Sequence, residues 1–190
     1  ERLAPLAERG DWQADTTCWD DADAPPELRE AAASGWVAIA RMEHASIAAF
    51  ARFALQLLQL GAPPALIEQA TAAMADETRH AKLAFAIASQ LGQRALGPGS
   101  LAVEGSLESL TLIDVIRLAF REGCVGETAA ALEAQQASEY ANVPALREAL
   151  RGIAADETRH AQLAWQFVGW ALTVAPHQAR AALQAELTHA

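Results

Sequence analysis

Apolar and polar positions follow the period of an α-helix along most of this chain. An apolar stripe at i, i+3 and i+4 spacing covers residues 26–60, and Gly61 ends it. Pro63-Pro64 opens a second stripe over residues 64–91, because proline is tolerated in the first turn of a helix. The pattern therefore predicts two long helices, which should run antiparallel because their link is short.

The second half of the chain repeats this arrangement after a long connection. Residues 92–110 are rich in glycine and proline and are too long for a tight helical hairpin, so we expect a crossover. Three further helical stripes follow, over residues 112–140, over residues 144–173 and from Pro176 onwards. The first of them begins after Thr111, whose spacing to Asp114 is that of a capping box.

The fold class predicted by these elements is all-α, because no stretch of useful length alternates with the period of a β-strand. Two antiparallel hairpins joined by a crossover make a four-helix bundle, to which a short C-terminal helix is added. We expect one bundle domain over residues 26–190 and an irregular N-terminal arm over residues 1–25. Trp12 and Trp19 of the arm should pack on the surface of the domain rather than bind a ligand.

Composition and charge exclude several classes of partner. The net charge of −10 disfavours nucleic acid and anionic lipid, since both attract clusters of Lys and Arg. No apolar run reaches the roughly 18 residues that span a bilayer, so we expect no membrane association. Cys18 and Cys124 fit neither a disulfide framework nor a zinc ribbon. Because residue 1 is Glu rather than Met, we expect a trimmed N-terminus and leave localisation open, with the cytoplasm favoured.

A duplicated hexapeptide carries the candidate chemistry. Asp-Glu-Thr-Arg-His-Ala stands at residues 76–81 and again at residues 156–161. In each copy a Glu precedes a His by three positions, which places both side chains on one face of a helix. A carboxylate and an imidazole aimed at one point form half of a transition-metal site, and two copies could form a whole one.

Each Glu-x-x-His pair has a lone glutamate on the preceding helix at a similar height. Glu127 and Glu157 both lie about 20 Å from their shared turn, and the heights of Glu43 and Glu77 agree within about one turn. Glu122 is a rival of Glu127. Five residues rotate an α-helix by about 140° beyond a full turn, so only one of the two can face inward, and the repeat favours Glu127.

The collected side chains offer four carboxylates and two imidazoles, a set that suits two divalent first-row metals. Four negative charges balance two such ions, which offsets the cost of burying the carboxylates. Oxygen-rich sites favour iron or manganese over structural zinc. We expect two iron ions, with manganese or a mixed Mn/Fe pair left open. The expected ligands are Glu43, Glu77, His80, Glu127, Glu157 and His160.

Over residues 30–173 this pattern resembles the ferritin-like carboxylate-bridged diiron proteins. The duplicated Asp-Glu-x-Arg-His form is most similar to the oxygen-activating members, such as the bacterial multicomponent monooxygenases and the ribonucleotide reductase small subunit. The resemblance implies that Glu77 and Glu157 bridge the two metals. It also implies that neighbouring aspartates orient the imidazoles, since a ligating histidine usually gives its other N–H to a carboxylate. These aspartates and their arginine partners are Asp76 with Arg79 and Asp156 with Arg159.

Two relatives within that superfamily fit less well. The classical rubrerythrins add a four-cysteine iron site and a further glutamate where this chain has Ala130. The ribonucleotide reductase small subunits place a tyrosine beside the metals, whereas Tyr140, the only tyrosine here, lies 13 residues from Glu127 near a helix end. We therefore expect neither a rubrerythrin-type peroxidase nor a stable tyrosyl radical.

The resemblance implies an enzyme, a non-haem diiron oxidase or oxygenase that uses O₂ or peroxide on a small organic molecule. Its substrate and electron donor are not identified, and a homodimer is left open. The alternatives are a ferroxidase or iron-handling protein, a manganese-type peroxide-scavenging enzyme, and a bundle in which the metals only add stability.

Residues beside the expected ligands also have purely structural interpretations. His44 should lie between helices or at the surface, with a role in orienting ligands as the alternative, and Cys124 should be a small buried thiol. Small residues flank the ligands, either as room for a substrate or as good helix formers. These are Ala73, Ala81, Ala84, Gly123, Ala130, Ala131, Ala134, Ala154, Ala161 and Ala164.

Overall fold

A computed structural model describes residues 3–14, 24–106, 108 and 110–188. Of the described residues, 77% are helical, which confirms the all-α class. Trp19 and Cys18 lie outside the described residues. The helices are α1 (Pro26–Gln59), α2 (Pro64–Leu91), α3 (Leu112–Leu118), a π-helical segment (Ala119–Glu127), α4 (Thr128–Tyr140), α5 (Pro144–Val174) and α6 (Pro176–Leu187). Two short strands are β1 (Leu6–Glu8) and β2 (Leu96–Pro98).

The helix boundaries follow the local start and stop signals of the sequence. Helices α1, α2, α5 and α6 each begin at a proline, where the missing N–H costs no intrahelical hydrogen bond. Gly61 ends α1 with a φ of 66°, a conformation that glycine adopts without a steric penalty. The capping box before α3 is present, with the Asp114 N–H donating to Thr111 Oγ1 and the Thr111 N–H donating to Asp114 Oδ2.

The N-terminal arm contains regular structure that the sequence analysis does not expect. Strand β1 pairs antiparallel with β2, and Leu6 lies opposite Pro98. The arm is therefore not irregular at residues 6–8. Three residues are too few to show the alternation that marks a strand, and the partner strand lies 90 residues further along the chain. The 92–110 connection likewise contributes a strand where only a crossover is expected.

The chain divides into two compact units. The first unit combines Glu1–Phe50 with Met74–Ser106, and the second combines Ala51–Ala73 with Leu107–Ala190. Among the described residues, none of the helices combines the length and the hydropathy that crossing a bilayer requires.

One core cluster of the first unit combines small residues with a large aromatic ring. Buried Ala40, Ala84, Phe85, Ala88 and Leu96 form one cluster. Trp12 packs against it with its ring edge-on to Phe85 at a centroid distance of 6.2 Å. The Gln13 side chain donates to the Leu96 carbonyl at 3.0 Å, and Arg41 donates to the Ala4 carbonyl at 2.8 Å. These contacts attach the arm to the unit and confirm the expected packing of Trp12.

The second unit depends on a close approach of the π-helical segment to α5. A Cβ at Gly123 would lie 2.5 Å from the Cβ of Ala164, well inside contact distance. Phe167 is fully buried and meets Phe53 edge-on at 5.2 Å. At the C-terminal end, Glu186 of α6 pairs with Arg121 at 3.2 Å. Glycine at position 123 therefore sets how near Glu127 can come to the ligands on α5.

Replacing Gly123 with alanine should destabilise the protein, because the added Cβ would collide with Ala164. Overpacking of this kind typically lowers the free energy of unfolding by about 1–3 kcal/mol. Urea unfolding followed by circular dichroism measures the difference.

Gly152 is the matched control for this substitution. It lies within α5, and a Cβ there would meet no atom within 4 Å. Gly152→Ala should leave stability unchanged or raise it by up to about 1 kcal/mol, because alanine favours the helix. Adding Ala164→Gly to Gly123→Ala should recover part of the loss. If Gly123→Ala were as stable as Gly152→Ala, the close approach of the two helices would be wrong.

Candidate metal centre

The first unit brings together three of the expected ligands. Glu43 comes from α1, whereas Glu77 and His80 come from α2, one helical turn apart. One ligand atom from each lies within 4.8 Å of the others, and His80 Nδ1 is 3.6 Å from Glu43 Oε2. Glu77 and His80 are buried, and the Glu43 side chain is 19% exposed. This group of carboxylate and imidazole donors could hold a metal ion.

The second unit repeats the arrangement with the other three. Glu127 ends the π-helical segment, whereas Glu157 and His160 lie one turn apart on α5. Their ligand atoms also lie within 4.8 Å of one another. His160 Nδ1 is 3.1 Å from Glu157 Oε2 and 3.9 Å from Glu127 Oε2. Glu157 and His160 are buried, and the Glu127 side chain is 17% exposed. We call these two groups the first and the second triad.

Both histidines place Nδ1 near a glutamate oxygen of their triad. In each triad Nδ1 is the ring nitrogen that faces the glutamates, at 3.6 Å in one and at 3.1 Å in the other. Nδ1 is therefore the nitrogen that a metal between these side chains would meet, which leaves Nε2–H for a hydrogen bond.

Burial makes these donors suited to a divalent cation. An ionised carboxylate in a low-dielectric interior costs several kcal/mol unless a positive charge compensates it. Each triad holds two glutamates close together. The cost of burying each carboxylate and the repulsion between the two charges therefore add up. A protonated imidazole offsets one of these charges, whereas a divalent cation offsets both. Carboxylate and imidazole donors in this ratio fit iron and manganese.

The two expected Asp-Arg pairs are present beside the ligands. Arg79 bonds to Asp76 across one helical turn, and Arg159 Nη2 lies 2.5 Å from Asp156 Oδ1 in the same relation. In both pairs the aspartate is largely buried and the arginine is exposed. The role of these aspartates in orienting the imidazoles stays a prediction.

Glu122, the rival of Glu127, is placed away from the triad. Its side chain is exposed and accepts a hydrogen bond from Arg52 Nη2 at 2.7 Å. The sequence argument against Glu122 used the 140° that five residues rotate an α-helix. That angle does not apply here, because the nine residues that end at Glu127 have π-helical hydrogen bonding. Sequence analysis missed this segment. Gly123 and Gly126 inside a helical pattern are the only local signal for it.

His44 and Cys124 have the structural roles expected of them, as a packed histidine and a buried thiol. His44 is half-buried with its ring edge-on to Trp12 at 5.1 Å, and burial, followed by the charge of Arg9, lowers its pKa. Cys124 is buried and forms no disulfide, and burial raises its thiol pKa to about 12. Its thiol is therefore protonated at neutral pH.

The small residues beside the ligands serve packing at most of their positions. Seven of the alanines are buried, which leaves little free volume at those points. These are Ala73, Ala81, Ala84, Ala134, Ala154, Ala161 and Ala164. Gly123 meets Ala164, as described above, whereas Ala130 and Ala131 are partly exposed. Close helix packing explains this set better than a substrate cavity does.

Comparisons of the chain with protein-family models, with curated proteins and with solved structures give no significant match. The function must therefore be argued from the triads themselves.

Replacing either triad histidine should remove bound metal while leaving the helices intact. His80→Ala and His160→Ala each delete one of three donors, so we expect each variant to lose at least about half of the bound metal. Elemental analysis of the purified variants gives the stoichiometry, and far-ultraviolet circular dichroism gives the helical content.

His177→Ala is the control, since His177 is exposed near the start of α6 and belongs to neither triad. It should bind metal as the unmodified chain does. Unchanged metal content in both His80→Ala and His160→Ala would contradict the metal centre.

Cys124 should be nearly inert to thiol reagents in the folded protein. The thiolate is the nucleophile, and raising the pKa from 9.0 to about 12 cuts the thiolate fraction at pH 8 by about 1,000-fold. In a Cys18→Ser background, the reaction with a chromogenic disulfide should be slower by at least that factor in the folded chain than in urea. Between pH 8 and pH 11 the folded rate should rise about tenfold per pH unit. Equal rates in the folded and unfolded chains would contradict the burial of Cys124.

Proposed function

We propose that the two triads act together as one dinuclear centre of the ferritin-like, carboxylate-bridged kind. The protein would then be a non-haem oxidase or oxygenase that uses O₂ or peroxide on a small organic molecule. One observation carries this proposal: each Glu-x-x-His pair has a lone glutamate within ligand distance in its own unit. A single such pair on a helix is common, whereas two complete triads from a duplicated motif are not.

The assignment of ligands follows the triads. Glu43, Glu77 and His80 would hold one ion, and Glu127, Glu157 and His160 the other. Glu77 and Glu157 are the most buried carboxylates of the set, which fits the bridging role that the resemblance implies. Two iron ions, when bound, supply the electrons that reduce O₂ or peroxide.

The chain's own residues would control the surroundings of that chemistry. The buried imidazoles would hold Nδ1 near the carboxylates, and each Asp-Arg pair fixes the position of an aspartate one turn from the histidine's helix face. The close-packed alanines beside them keep bulk water away from the ligands. The partly exposed Glu43 and Glu127 are the carboxylates through which solvent, O₂ or a substrate would first approach.

The test begins with elemental analysis of the purified protein. Anaerobic loading with Fe(II) and exposure to air, with the visible spectrum recorded, then follow. We expect about two irons per chain and the absorption of an oxo-bridged diferric species, both absent in the His80→Ala/His160→Ala double variant. Zinc alone, or iron that never reacts with O₂, would contradict the proposal.

Three further measurements separate the oxidase from its alternatives. Sustained O₂ consumption with a chemical reductant, after added Fe(II) is exhausted, supports an oxidase or oxygenase. Consumption that stops with the Fe(II), together with a large particle mass in solution, indicates iron storage. O₂ evolution from peroxide by the manganese-loaded protein indicates peroxide removal.

A further inference from the structure

A groove in the first unit is large enough for a small organic molecule. Its volume is about 560 Å³, within the range of ligand sites in proteins. It is lined by the start of α1, the end of α2 with the turn that follows it, and the two short strands. None of the six triad residues is among the described lining residues, so the groove is a separate feature from the metal centre.

Two arginines line this groove and have no counter-ion among the described residues. Arg29 Nε is buried and lacks a hydrogen-bond partner, and neither Arg29 nor Arg94 forms an ion pair with the described part of the chain. Most other arginines are bonded to carboxylate or carbonyl oxygens. Examples are Arg52 with Glu122, Arg147 with the Ala141 carbonyl and Arg159 with Asp156. In a chain of net charge −10, two guanidinium groups at one groove without a carboxylate partner in the described part of the chain favour an anionic ligand.

The other lining residues define the rest of the ligand. Leu6, Val37, Leu91 and Leu96 supply apolar walls, which suit an apolar body. Pro26 begins α1 at the groove, and the N-terminus of a helix favours a negative charge. Glu30 also lines the groove and would repel a second negative charge, which favours a monoanionic carboxylate over a doubly charged phosphate.

The backbone that carries Arg94 is held in a defined turn. The Gln93 N–H donates to the Gln90 carbonyl at 3.3 Å, and the Arg94 N–H donates to the Ser89 carbonyl at 3.1 Å. These bonds close the C-terminus of α2, as in a Schellman motif. They fix the backbone position from which the exposed Arg94 side chain extends to the groove.

We propose that this groove binds a small carboxylic acid with an apolar body. Arg29 and Arg94 hold the carboxylate, and the leucine and valine side chains cover the hydrocarbon. The proposal does not depend on the diiron function, since the groove shares no described residue with the triads.

Isothermal titration of the full chain with octanoate tests this site. Acetate serves as the probe without the apolar body, and octanamide as the probe without the charge. We expect octanoate to bind with a stoichiometry of about one and both other probes to bind at least about tenfold more weakly. Octanamide binding as tightly as octanoate, or acetate doing so, would overturn the proposal.

Three substitutions locate the binding. Arg29→Gln and Arg94→Gln should each weaken octanoate binding by about tenfold or more, the usual effect of losing a charge-assisted hydrogen bond. Arg180→Gln is the matched control. Arg180 of α6 is exposed, forms no ion pair with the described residues and lies outside the groove, so its variant should bind octanoate within about twofold of the unmodified chain.

A carboxylate can also bind a metal, so His80→Ala separates the two sites. Octanoate affinity should be unchanged in His80→Ala and in chelator-treated protein. If octanoate binding is lost in His80→Ala but kept in Arg29→Gln, the acid binds at the metal centre and the groove proposal is wrong. An equal loss in Arg180→Gln would show a non-specific charge effect and overturn it too. Circular dichroism of each variant confirms that it is folded, and Arg29→Lys, which keeps the charge, provides a milder second variant.

Discussion

Burial of carboxylates beside imidazoles is the constraint on which the rest of this structure depends. Glu77 and Glu157 are almost inaccessible, and each shares its surroundings with a second glutamate and a histidine. Such a group is stable only if its charges are compensated in place. Helices α1, α2 and α5 run without a break through the positions of their triad residues, whereas Glu127 ends the π-helical segment. Buried alanines beside the triad residues allow close helix packing.

Helical geometry alone brings two of the three ligands of each triad together. A spacing of three residues puts Glu and His one turn apart on one face, and the structure keeps that spacing within regular helix on both α2 and α5. The third ligand depends on packing between helices. In the second unit that packing rests on Gly123 against Ala164, where any larger side chain would hold the two backbones apart. A glycine that binds nothing thus decides whether Glu127 reaches its partners.

Prolines, the capping box and apolar periodicity were enough to predict the helices, because these signals are local. The grouping of the six triad residues was predictable because the motif is duplicated, and Glu127 could be preferred to Glu122 on the repeat alone. The β1–β2 pair could not be predicted, since three residues carry no alternation and their partners are distant in sequence. The π-helical segment changes the hydrogen-bond register without changing which residues are apolar. The groove joins Arg29 to Arg94, a proximity that no local pattern encodes.

The two triads share their residue types but not their backbones. Glu43 lies within the regular helix α1, whereas Glu127 closes a nine-residue π-helical segment. A π-helical turn is rare and less favourable than an α-helical one, and in helices it is often found at functional sites. The second triad also has the longer distance between histidine Nδ1 and the lone glutamate, 3.9 Å against 3.6 Å. If one of the two lone glutamates moves when the charge of a bound metal changes, the π-helical backbone favours movement of Glu127 over movement of Glu43. The duplication thus supplies the same donor types twice, and the π-helical segment places one of the two lone glutamates on a different backbone.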